Sequence, residues 1–151
     1  MNEDNHTGSD GQKDYGAVSP GKFTITPSLA SSNYQFIEAS TASPFFLLSS
    51  QNLIYSMKLA NKGTTSLAVT VLSSDGNTPV SSAQVEAKSG TYDVTLATDI
   101  NGVVFFPADT NPFPSGVCSL KVTASGFKDS TSQVTVSNNS LQTSTVTVTP
   151  S

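Results

Sequence analysis

Ala83-Gln84-Val85-Glu86-Ala87-Lys88-Ser89-Gly90-Thr91-Tyr92-Asp93-Val94-Thr95-Leu96-Ala97-Thr98-Asp99-Ile100-Asn101-Gly102-Val103-Val104-Phe105-Phe106 is the stretch that decides the fold class. Apolar side chains recur at every second position, in Ala83, Val85 and Ala87 and again in Tyr92, Val94 and Leu96. A period of two is that of a half-buried β-strand, because successive side chains point to opposite faces. Gly90 separates the two runs, and Asp99-Ile100-Asn101-Gly102 carries the small polar residues that a tight bend needs. Val103 to Phe106 forms a further apolar run, which Pro107 closes.

The same grammar continues outward from this stretch. Upstream, Leu67-Ala68-Val69-Thr70-Val71-Leu72 reads as a strand, followed by a turn at Ser74-Asp75-Gly76-Asn77 and by Pro79-Val80. Downstream, Pro112 and Pro114 frame a loop into the strand Val117 to Ala124, and Gly126-Phe127 bends the chain. Gln133 to Val136 and Ser144 to Thr149 complete the series. About seven short strands with turn signals every ~8–12 residues form the pattern of a β-sandwich. Only Phe45 to Leu59 could also read as a short helix, and its Pro, Ser-Ser and β-branched or aromatic content favours strands.

Residues 22–65 read as an N-terminal β extension of this sandwich. Phe23-Thr24-Ile25-Thr26, Tyr34-Gln35-Phe36-Ile37, Phe45-Phe46-Leu47-Leu48 and Leu53 to Leu59 are its strand candidates, and Asn61-Lys62-Gly63 is a turn. Residues 1–21 are polar and acidic, with too little apolar surface to offset the entropy of ordering. They are expected to be a flexible arm, or an arm that docks on a partner.

Composition excludes several functions. All seven cationic residues are Lys and there is no Arg, so the planar fork that grips phosphate is missing. With a formal net charge of −4, the chain also lacks the basic footprint of a nucleic-acid binder. Charged residues make up 12%, about half the ~25% of an average domain, with Ser and Thr in their place. The longest apolar run, Phe45 to Leu48, is too short to span a membrane. Met1-Asn2-Glu3-Asp4-Asn5 has neither the basic start nor the apolar run of a signal peptide, so an exported form would have its targeting segment removed or replaced. Cys118 has no partner for an intramolecular disulfide, and its alternating surroundings predict a buried thiol, with an interchain bridge or a reactive thiol as the alternative.

Three ordered motifs resemble those of prealbumin-like (transthyretin-like) modules, which include carboxypeptidase regulatory-like and Cna protein B-type domains. Asp75-Gly76-Asn77-Thr78-Pro79-Val80-Ser81-Ser82-Ala83-Gln84-Val85 is similar to their D-G-x-P-V-x-G-A-x-V opening. Thr98 to Phe106 is similar to T-D-x-x-G-x-x-x-F, and Pro114 to Phe127 to P-x-G-x-Y-x-L-x-V-x-A-x-G-Y. Cys118 stands where the family usually has an aromatic, and Ser82 where a Gly is common. The resemblance covers about residues 66–151 and implies an all-β, antiparallel Greek-key sandwich of cell-surface type. It also brings one chemistry to be weighed, the Lys-to-Asn isopeptide bond of some Cna protein B-type domains. The Glu that promotes it would lie near Val122, where none stands. Lys58 or Lys62 with Asn138 or Asn139, helped by Glu86, is what remains, and the alternation about Val85 turns Glu86 toward solvent.

Other chemistries find little support. His6 and Cys118 are the only residues of their kinds, which argues against a zinc site or a Cys-His nucleophile. Serine catalysis has no G-x-S-x-G elbow. Asp75, Asp93, Asp99 and Asp109 fall in or near turns, where carboxylates stabilise bends. Asp75, Asp99 and Asn101, with Asn77, are the calcium candidates, although no Asp-x-Asp-x-Asp-Gly loop is present. Asn5-His6-Thr7 and Asn138-Asn139-Ser140 fit the N-glycosylation triplet, which arises readily in a Ser/Thr-rich chain.

The expectation is therefore a non-enzymatic, extracellular or cell-surface structural subunit that uses no cofactor and assembles with protein partners. Its interface candidates are Phe45, Phe46, Leu47, Leu48, Leu53, Ile54 and Tyr55, which supply more apolar surface than a linker needs. The alternative is a secreted binding module for a carbohydrate or protein, weakened by the absence of Trp and the scatter of the Tyr residues.

Overall fold

A computed structural model describes residue 7 and residues 11–29, 32–107 and 112–151. His6, Asp109 and, of the expected arm, residues 1–6 and 8–10 lie outside the described residues. The described chain forms eleven strands and no helix. These are β1 (Gly21–Phe23), β2 (Tyr34–Ala39), β3 (Phe45–Leu47), β4 (Met57–Asn61), β5 (Ser66–Ser73), β6 (Gln84–Ser89), β7 (Tyr92–Ala97), β8 (Val103–Phe106), β9 (Gly116–Thr123), β10 (Ser130–Val136) and β11 (Leu141–Val148).

Two compact units result. Met1–Thr26 and Thr41–Tyr55 form the smaller one, whereas Pro27–Ser40 and Ser56–Ser151 form the larger. In the smaller unit β1 and β3 pair antiparallel, with Phe23 opposite Phe45. The larger unit holds a four-stranded sheet ordered β10-β9-β6-β7, a three-stranded sheet ordered β11-β5-β8, and the β2–β4 pair. The expected extension, residues 22–65, is therefore divided between the two units. Its β2–β4 pair groups with the sandwich, and β3 groups with β1.

The two larger sheets make the expected all-β sandwich. Alternation in the sequence becomes alternation in burial. Val85 and Ala87 of β6, Cys118, Leu120 and Val122 of β9, and Leu67, Val69 and Val71 of β5 are all buried. Phe106 of β8 and Val146 and Val148 of β11 complete the core with Phe113, whose ring meets Tyr92 edge-on at 4.8 Å. Burying each such Val or Leu contributes roughly 1.5–3 kcal/mol, and with the lone Cys118 free this burial holds the fold. Every ladder is antiparallel except β11 on β5, which is parallel over its eight residue pairs. The chain crosses from the outer sheet strand β10 to the opposite sheet before β11 begins, so β11 cannot return as a hairpin partner.

The turns carry the motif chemistry. Asp99 accepts hydrogen bonds at Oδ1 from Asn101 N and Val103 N, both at 3.0 Å, and Gly102 N donates to Asp99 O. Gly102 has φ +72°, and a Cβ there would stand 2.6 Å from Val71 O. Val71 N in turn donates to Gly102 O at 2.8 Å. This close approach of backbone to backbone is why the turn ends in glycine. Thr98 is buried and serves as a peg: its hydroxyl donates to Val80 O (2.7 Å) and accepts from Ala83 N (2.9 Å).

Candidate functional site

The interface candidates fall in the smaller unit, and the β-period sorts them into two sets. Phe45, Leu47, Leu53 and Tyr55 are half-buried; Phe45 stacks between Phe23 (6.1 Å) and Tyr55 (5.6 Å). Phe46, Leu48 and Ile54 occupy the alternate positions and are 69%, 68% and 81% exposed. Thus one set of rings holds the small sheet together, and three large apolar side chains are left to solvent. The sequence suggested a strand over Leu53 to Leu59, but pairing begins only at Met57, after the chain has passed from one unit to the other. Ile54 and Tyr55 are consequently free of a ladder.

In the larger unit, a charged cluster gathers where β2, β4 and the β7–β8 turn meet. Lys58 Nζ donates to Glu38 Oε1 and to Asp99 Oδ2, the latter at 3.0 Å. Asn101 Nδ2 donates to the other Glu38 oxygen at 3.2 Å and reaches Ala39 O at 3.4 Å. Burial opposes the charge on Lys58, but hydrogen bonding to Glu38 and Asp99 outweighs it and lifts the pKa above the ordinary lysine value. Burial pushes the Asp99 carboxyl up as well. The Val103 N–H and the Lys58 ammonium, which both donate to it, overcome that effect and hold it below the usual carboxylate range. Chemically the cluster is a cation clamped between carboxylates. A lysine held as ammonium is not a nucleophile, so the geometry favours fastening the β2–β4 pair to the turn over bond formation.

The other sequence candidates are dispersed. Lys62 Nζ donates to Leu29 O and Ser32 O, whereas Asn138 Oδ1 accepts from Thr65, so the residues weighed for a Lys-Asn crosslink are not brought together. Asp75 sits in the β5–β6 turn, where its Oδ1 accepts from Asn77 N (3.0 Å) and Thr78 N (2.9 Å). Asp99 and Asn101 share the β7–β8 turn, and Lys58 stands on Asp99. Among the described residues no three His, Cys, Asp or Glu side chains are grouped as a metal would require. Cys118 is buried, and burial raises its pKa, which keeps it a thiol. No helix among the described residues is long and apolar enough to cross a membrane.

Comparison with known proteins is sparse at the level of sequence and broad at the level of fold. No family model matches the chain, and no curated protein matches it significantly. Solved structures do. A 5-hydroxyisourate hydrolase from Klebsiella pneumoniae is similar over 58% of this chain and 92% of its own, with 18% identity and a TM-score of 0.45. The TIE protein of Bacillus anthracis is similar over 78% of this chain, at 16% identity and a TM-score of 0.49. A minor pilin of Streptococcus agalactiae is similar over 72%, at 19% identity and a TM-score of 0.45. The chain spans 24% of that Bacillus protein and 53% of that pilin. The likeness is one of sheet architecture.

Glu38 escaped the reading of the sequence. It lies 20 residues from Lys58 and 63 from Asn101, and no local pattern connects positions so far apart. The exposed apolar set was legible only in outline: a run of hydrophobic residues gives apolar surface, but not which alternate positions a short sheet will leave uncovered.

Proposed function

We propose that this chain is a non-enzymatic structural subunit of an extracellular assembly, such as a pilus-like filament or another surface appendage, and that it joins protein partners through the smaller unit. The observation that carries this reading is the exposure of Phe46, Leu48 and Ile54 beside a stacked core of Phe23, Phe45 and Tyr55. Three large apolar side chains exposed within one short unit favour a contact surface, because covering them removes apolar area from water. The rest of the chain suits the same role. Its surface relies on hydroxyls over ions, and the sandwich is a scaffold whose turns are occupied in holding themselves together.

Sedimentation velocity over a wide concentration range, with negative-stain microscopy, tests the proposal. Concentration-dependent association is expected, weakened at least tenfold by Phe46→Ser with Ile54→Ser, while thermal stability stays near that of the parent. A strictly monomeric protein at all concentrations overturns it.

A further inference from the structure

The last strand of the sandwich offers a second and more specific surface. β11 pairs with β5 along one edge, and among the described residues no strand pairs with the other. Which backbone groups lie on that free edge follows from the flanking bonds. Ser66 N donates to Ser140 O, so the main chain of residue 140 faces β5. Lys128 N donates to Thr149 O and Ser151 N to Gly126 O, so those of 149 and 151 face away. Strand geometry alternates the two directions, which turns the N–H and C=O groups of Thr143, Thr145 and Thr147 outward. Their side chains are exposed as well.

Sheet edges are normally blunted by charge, proline, bulges or short length. β8 is only four residues long, and β7 carries Asp93, which pairs with Lys88. The edge of β11 has none of these protections. From Ser130 through Ser151 not one side chain is charged, and the first proline, Pro150, follows the strand. The chemistry of a row of unpaired peptide groups selects another extended backbone, and neutrality selects a copy of itself. Antiparallel pairing about Thr145 would set Thr145 against Thr145 and Thr143 against Thr147, which are favourable cross-strand pairs. No like charges would oppose one another, as they would along β7.

We propose that the free edge of β11 pairs antiparallel, across a two-fold axis, with the same edge of a second copy of this chain. The inference rests on the assembly reading above and names its partner: one junction of the assembly is a continuous sheet running β8-β5-β11 into β11-β5-β8 of the copy.

The test uses the full chain. Thr145→Pro removes an N–H that the β5 ladder does not use, and Thr145→Lys sets two ammonium groups face to face. Each is expected to weaken self-association at least tenfold, raising its dissociation constant, and mixing Thr145→Lys with Thr145→Glu protein should restore pairing. Amides of residues 143, 145 and 147 should exchange fast in dilute wild-type protein and slowly in concentrated protein. Thr145→Lys keeps the test decisive should the proline variant fold poorly. If wild-type protein associates and neither Thr145→Lys nor the mixture changes that, this inference falls while the assembly reading stands. Protection of the three amides at every dilution also overturns it, since the edge would then be covered within one chain. Wild-type protein that never associates removes both.

Discussion

Replacing Thr98 by Val is the sharpest probe of how the sandwich is pinned. The hydroxyl occupies the buried interval between the Val80 carbonyl and the Ala83 amide, at 2.7 and 2.9 Å. Val matches Thr in shape, so no cavity opens, but both backbone groups lose their partner. Residues 80 and 83 are 6% and 0% exposed, so water cannot replace the hydroxyl without displacing structure. An unsatisfied buried polar group costs about 1–3 kcal/mol. Two of them, less the modest gain from an added methyl group, give a loss of about 2–4 kcal/mol. With a urea slope of about 2 kcal/mol/M, the middle of the range for a small domain, the unfolding midpoint should fall by about 1–2 M with an unchanged slope. Thr98→Ser keeps the hydroxyl and should stay within about 1 kcal/mol of the parent. A Thr98→Val midpoint within error of wild type would refute the reasoning, because the two bonds would then carry no net stability.

Gly102→Ala should destabilise by about 2–4 kcal/mol, since a left-handed residue costs about 1–2 kcal/mol and the new Cβ would press on Val71 O; equilibrium unfolding checks it. For the Lys58 cluster, the sign of the pH dependence follows from the two shifts. Asp99 is depressed, so its contribution is present above its unfolded pKa of about 3.9 and is lost as pH falls through the lower folded value. Lys58 is raised, so its contribution is present below about 10.4 and is lost as pH rises through the higher folded value. The stability difference between wild type and Lys58→Met should thus be largest near neutrality and stay below about 1 kcal/mol, because the Lys58 and Asp99 side chains are 43% and 35% exposed. It should vanish in strong acid, and a difference flat from neutral pH into acid contradicts the assignment. Intact-mass measurement should show no loss of ammonia or water, because Lys58 is held as an ammonium. Cys118 should react with a maleimide only on the timescale of unfolding, whereas rapid labelling of native protein would contradict its burial.

Much of the sandwich was legible because its strands announce themselves locally. Val85 and Ala87 alternate with Glu86 and Lys88, and the structure buries the first pair at the sheet interior. Asp99, Asn101 and Gly102 spelled a turn, and the turn is there. What was not legible depends on partners far away in sequence. The parallel pairing of β11 with β5 joins Leu141 to Ser66, and nothing in either segment alone encodes direction. Likewise, the division of residues 22–65 between two units depends on β1 choosing β3 and β2 choosing β4, strands of similar composition. At the candidate interface the apolar run Phe45 to Leu48 was plain, but the split between stacked Phe45 and exposed Phe46 needed the register.

The central claim is assembly through exposed apolar surface, and sedimentation velocity of the purified chain reaches it most directly. The account predicts species heavier than the monomer that grow with concentration and diminish when Phe46 and Ile54 are both replaced by Ser. A single monomeric boundary at every concentration, unchanged by those substitutions, would contradict it.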